Sequence, residues 1–271
     1  MNFRAKLHGL TLVIFLFLPP FASMAAESIT VGGVGSLTPL LKALGQQYTK
    51  TNAGIDIVVL HPPIGSAGAA RALGANKVDI ALLGRALKAD ESGQTIAWVR
   101  TPLVIATAGG PAKGLTQLQL ADMYSGKQVA WGNGKPVRLV MRGASESETT
   151  TLRAMSPEID AAVGAALKRS DLPVAENDLE ALDTLVRIPG SLGTTTLGLI
   201  TAQGVRIDAL SIDGKSPTVK SLESGTYPWF RQYYLVHRAK PAPAVAAFLA
   251  YLQSPPALAA ARKLDYIAAK P

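Results

Sequence analysis

The sequence predicts an α/β fold with a mixed, mainly parallel sheet, and three observations carry that reading. Short apolar runs typical of buried strands alternate with segments of helical spacing from residue 29 onward. The chain has 271 residues, 48% of them hydrophobic, enough to bury a full core and to exclude disorder. It also has no cysteine, so neither disulfides nor thiolate-bound zinc can hold it together.

The elements follow in order. Arg4 and Lys6 precede an apolar run over 10–18, then Pro19-Pro20 and small residues, with Ser23 and Ala25 at the −3 and −1 positions of a cleavage site. The run is shorter than the about 20 residues a membrane span needs, so residues 1–25 are expected to be a cleaved signal peptide and the mature chain to be exported. No cysteine follows to take a lipid anchor. A strand begins at 29–31; Leu37, Leu41, Leu44 and Tyr48 then fall at helical spacing, with Pro39 suited to a first turn and Gly54 after the end. Strand 55–60, helix 66–73 closed by Gly74, and strand 78–83 continue the alternation. A strand over 103–108 leads to a helix over 116–124, a turn-rich stretch around Trp131 and a strand over 137–141. Helical patterns cover 149–167 and 178–185, strands are expected at 197–200 and 230–237, and two helices, 244–253 and 257–264, close the chain.

Charge narrows the function classes. The formal net charge of +8 falls to +6 once Arg4 and Lys6 are removed, and the basic residues are scattered with no run of five or more. A nucleic-acid footprint is therefore not expected, and a small anionic partner suits the chain better. His8, His61 and His237 are the only imidazoles, so no metal or other cofactor is expected.

Three junctions share one grammar, a strand followed by Ser or Thr, mostly with Gly, and then a helix: Gly32-Gly33-Val34-Gly35-Ser36-Leu37-Thr38, Gly65-Ser66-Ala67-Gly68 and Ser145-Glu146-Ser147-Glu148-Thr149. Helix N-termini expose unpaired N–H groups, glycine lets an anion approach the backbone, and hydroxyls add donors. Any one of these residues alone reads as an N-cap; the recurrence points to an anion. The first loop does not fit a dinucleotide fingerprint, because Thr38 stands at the third glycine position. Arg85 and Arg142 each follow an apolar strand, where an open sheet places its ligand crevice and where a guanidinium can hold an oxyanion. Each could equally be a salt-bridge residue. Neither G-x-S-x-G nor S-x-x-K occurs, so no enzyme activity is expected.

Together these stretches resemble a known family, the phosphate-binding-protein-like substrate-binding proteins of phosphate-type ABC importers. The resemblance rests on Gly65-Ser66-Ala67-Gly68; on residues 78–87 leading to Asp90-Glu91; on Ala121-Asp122-Met123-Tyr124-Ser125-Gly126-Lys127 with Trp131; on Arg142 through Thr149; and on Ile212-Asp213-Gly214, Ser224-Gly225 and Tyr227-Pro228. It implies a two-lobed type II periplasmic binding protein fold, with lobe 1 from 26–105 and 199–271 and lobe 2 from 106–198. It also implies a monomer in the periplasm that closes on phosphate or a similar oxyanion and delivers it to a membrane permease. In family terms Ser36, Thr38, Ser66, Arg85, Arg142, Ser147 and Thr149 face the ligand. Two departures stand out: Gly84 where the family commonly has Ser, and Glu148 where its Ser-Gly-Thr loop has Gly. Glu148 could accept the proton of a protonated phosphate, point outward, or abolish the anion site in favour of a sensing or envelope-interaction role.

Overall fold

The computed structural model describes residues 26–110 and 114–270; the expected signal peptide lies outside them. In chain order the first elements are β1 (Glu27–Gly33), a 3-10 turn (Gly35–Leu37), α1 (Thr38–Thr49), β2 (Ile55–Val59), α2 (Gly65–Gly74) and β3 (Ile80–Leu83). Then come β4 (Gln94–Thr107), α3 (Gln117–Ser125), β5 (Arg138–Arg142), α4 (Ser147–Arg153), α5 (Pro157–Ala166), β6 (Val174–Ala175), α6 (Asp178–Arg187) and β7 (Ser191–Thr196). The chain ends with α7 (Leu197–Gln203), β8 (Asp208–Leu210), α8 (Val219–Glu223), β9 (Phe230–His237), α9 (Pro243–Leu252), α10 (Pro255–Lys263) and β10 (Ile267–Ala268).

The strands run in the order β2-β1-β3-β9-β4-β7-β5-β6. Outer strands pair in parallel, β1 with β2 and β3, and β5 with β6 and β7. β9 and β4 lie antiparallel at the centre. β4 is the bridge: residues 94–102 pair with β9, while Leu103–Ala106 pair with β7. At the crossover Leu103 N–H donates to Trp229 O (3.0 Å) and the Tyr227 hydroxyl donates to Leu103 O (2.7 Å). Separate cores lie on either side of this crossing. Leu37, Leu41, Leu44, Leu235 and Phe248 belong to one, and Tyr124, Trp131, Ile159, Val163 and Leu192 to the other.

Three expectations are corrected. Residues 197–200 are the start of α7 rather than a strand; the Thr196 side chain accepts from Leu199 N–H as its N-cap, and the strand is the preceding β7. Every residue of β7 is buried, so its threonine-rich sequence does not show the apolar run of an ordinary core strand. The helical stretch 149–167 breaks in two, because Ser156 caps a new helix with Pro157 at its first position. β8 lies within 199–271, expected to return to the first lobe, yet it pairs with Ile105–Thr107 of the second sheet; the return comes with β9.

Candidate functional site

The site forms where the strand ends of both sheets meet. From one side come Ser36 after β1, Ser66 at the start of α2, Gly84 after β3, and Arg231 with Tyr233 in β9. From the other come Arg142 at the end of β5, Ser147 to Thr149 at the start of α4, Asp178 at the start of α6, and Thr194 to Thr196 at the end of β7. The position of β7 depends on Trp131, whose indole N–H donates to Gly190 O (3.0 Å). Gly190 has φ +78°, and a side chain there would meet Pro136 O, so only glycine makes this turn into the strand.

The two sides hold each other directly. Asp178 accepts from Ser36 N–H (2.8 Å) and from Arg142 (3.3 Å), so its carboxylate sits where the first loop's N–H and a guanidinium converge. Arg142 also donates to Ala175 O (2.5 Å) and Glu146 (3.2 Å). Arg231 donates to Gly84 O (3.0 Å) and to the Ser147 hydroxyl, and its Nε stands 3.7 Å from Glu148. Tyr266 donates to Ser36 O (2.6 Å). Between these groups lies a void lined by Ser36, Glu148, Asp178 and Thr194 to Thr196, too narrow for a water molecule.

Buried polar atoms without partners gather here. Ser36 Oγ, Thr195 Oγ1, Arg142 Nε, Arg231 Nε and the Tyr233 hydroxyl have no hydrogen bond among the described residues. Each such group costs about 1–3 kcal/mol of desolvation, so their concentration needs an explanation. Burial also pushes the Glu148 carboxyl up to about 7, against the opposing pull of Arg231.

Of the residues expected from sequence, Ser36, Arg142 and Ser147 come together at this centre. Thr149 is buried beside them, donating to Arg142 O (3.3 Å). Ser66 Oγ accepts from Gly84 N–H (3.0 Å) and so fixes the loop after β3. Thr38 is buried at the start of α1, where its N–H closes the 3-10 turn on Gly35 O. Arg85 is not brought into the cluster. Its guanidinium donates twice to Glu91 (2.6 and 2.7 Å) and holds that carboxyl down to about 2. Glu148 points inward, not to solvent.

Arg231, Asp178, Tyr233 and the three threonines were not anticipated. Arg231 had a signal: strand alternation puts it on the same buried face as Tyr233 and Leu235, an odd place for a guanidinium. It also accounts for Gly84, because a side chain there would collide with the Arg231 guanidinium.

The chain matches the model of the PBP superfamily domain over residues 22–256. The phosphate-binding protein PstS of Bacillus subtilis (strain 168) is 22% identical over 236 residues, covering 85% of this chain and 76% of that protein. A substrate-binding protein from Clostridium perfringens, solved with bound phosphate, superposes with a TM-score of 0.76 at 16% identity, over 90% of this chain and 100% of the other. The phosphate binding protein of Stenotrophomonas maltophilia gives 0.67 at 19%, over 90% and 91%. The family match over most of the chain, the fold shared with these binding proteins and the cleft between two sheets lead to one conclusion: the chain belongs to the PBP superfamily.

Proposed function

We propose that this protein captures phosphate or a similar oxyanion between two lobes in the periplasm and hands it to an ABC-type permease, performing no chemistry on it. The observation that carries this reading is the set of buried donors without a hydrogen bond, Ser36 Oγ, Thr195 Oγ1, Tyr233 OH, Arg142 Nε and Arg231 Nε, around one cleft. An oxyanion supplies the acceptors they lack. The likeness to PstS and to an ABC-type phosphate transport receptor from Vibrio cholerae supports the same ligand and partner.

In this reading the lobes comprise 26–102 with 230–270, and 103–229, hinging where β4 passes between sheets and where the chain returns at β9. Opening parts Ser36 from Asp178 and Arg231 from Ser147, admitting the anion; closing replaces its hydration shell with these donors. Ser36, Arg142, Ser147, Thr195 and Arg231 are the proposed ligands, with Ser66 and Thr149 positioning them. The Glu148 carboxylate then accepts a hydrogen bond from a protonated phosphate oxygen.

Calorimetric titration with phosphate, sulfate, molybdate and arsenate tests this. Binding of at least one of these anions, abolished by Arg142→Ala, is the expected result. No heat and no thermal stabilisation at millimolar concentrations of any of them would remove the transport-receptor reading.

A further inference from the structure

Beside the narrow void, and sharing Asp178 with it, a groove of about 210 Å³ runs to the surface between the two sides of the cleft. Its walls are unlike those of the void. Val34, Pro62, Pro63 and Ile64 make one side apolar, and the other side presents Arg142, Glu146, Glu176 and Asp178. Three carboxylates against one guanidinium make the groove a poor place for a bare anion, since the like charges repel it. Arg142 is nearly fully buried, yet its Nε has no partner among the described residues. The groove thus joins a buried guanidinium that lacks one hydrogen bond to three carboxylates, of which Glu146 and Glu176 are the more exposed.

We infer that the cleft takes a phosphate group bearing a short cationic arm, a zwitterionic phosphomonoester or phosphonate, with the phosphoryl oxygens in the void and the ammonium against Glu146 and Glu176. The inference rests on the anion-binding reading above and narrows its ligand class. Arg142 stands at the boundary of the two halves and can turn its unpartnered Nε to the phosphoryl group while Glu146 is released to the ammonium. Apolar contact with Pro62, Pro63 and Ile64 suits an arm of two or three methylenes. The acidic mouth then favours the zwitterion over both inorganic phosphate and a phosphomonoester whose arm is uncharged.

Titration calorimetry with O-phosphoethanolamine, sn-glycerol 3-phosphate and inorganic phosphate separates the possibilities. O-phosphoethanolamine is expected to bind about tenfold more tightly than glycerol 3-phosphate, the scale of one partly shielded ion pair. That ratio should collapse toward one in Glu176→Gln and further in the double variant with Glu146→Gln, each checked for native thermal unfolding. Inorganic phosphate binding without any preference for the amine ester overturns this inference and leaves the anion reading intact. A preference that survives the double variant also overturns it, by placing recognition elsewhere. Failure of all three compounds, with sulfate, molybdate and arsenate failing as well, overturns both; failure of the three alone overturns this inference.

Discussion

Arg231 and Glu148 face each other across the cleft with Nε and Oε1 3.7 Å apart, both almost wholly buried, one on a strand and the other on a helix. Arg231 comes from β9 and Glu148 from the first turn of α4, so the pair joins the two sides of the cleft. Breaking one partner of such a pair leaves an uncompensated buried charge, whereas replacing both by neutral residues of similar shape need not. The pair therefore ties the protonation of Glu148 to the packing of the two sides.

Its first consequence is a pH dependence. Burial raises Glu148 from an ordinary value of 4.5 to about 7, so between those values the folded protein holds a proton that the unfolded chain has released. Stability then falls as pH rises through that window and the loss is complete above it. Glu148→Gln should flatten this component, on the order of 1–3 kcal/mol. Urea unfolding of both proteins at pH 5 and pH 8, without ligand, checks it; parallel pH slopes would show that Glu148 keeps an ordinary carboxylate pKa.

Arg85 provides the opposite case. Its guanidinium is engaged by Glu91 rather than by the cleft. Arg85→Ala should leave anion affinity within about twofold and cost at most about 1 kcal/mol of stability. Because Arg85 holds Glu91 down to about 2, this pair's contribution is present above pH 4.5 and fades as pH falls toward 2. Affinity measured by calorimetry decides the matter: a loss of tenfold or more would return Arg85 to the site.

How far the sequence could be read depended on how local each feature is. Ser36 and Arg142 follow apolar strands, and neighbouring residues suffice to place them at strand ends. Ser147 sits in a loop whose helix start is equally local. Arg85 has the same local setting as Arg142, but its partner Glu91 lies within a few residues and captures it. Arg231, Asp178 and Thr195 act through contacts made only when distant segments meet, as with Ser36 and Asp178, 142 positions apart. The alternation of β1 to β3 was legible from apolar spacing. β7 was not, because four of its six buried residues are threonine or glycine, and Gly193 there is packed against Val140 O.

A more remote position should also affect binding. Gly198 in α7 lies under the Tyr266 ring, which a side chain at 198 would strike. Tyr266 in turn holds Ser36 O. Gly198→Ala should displace the ring, cost about 1–3 kcal/mol as an overpacking substitution, and weaken anion binding through a loosened Ser36 loop. Tyr266→Phe, which keeps the ring and drops only the hydroxyl, separates the effects: it should weaken binding with a smaller loss of stability. Calorimetry and urea unfolding on both variants read this out, and unchanged affinity in both would disconnect Tyr266 from the site.

Thr195 offers a test in which stability and binding move in opposite directions. Its hydroxyl is buried at the void without a partner, so the ligand-free protein bears a desolvation cost that only a bound acceptor relieves. Thr195→Val keeps the shape and removes the polar atom. Ligand-free stability should rise by about 1 kcal/mol, while the hydrogen bond lost to the anion weakens binding about tenfold. Thermal unfolding with and without saturating phosphate should therefore show a higher starting Tm and a smaller ligand-induced increase than wild type. A variant that is simply less stable, with the full phosphate increment retained, would mean that the hydroxyl serves the fold and not the ligand.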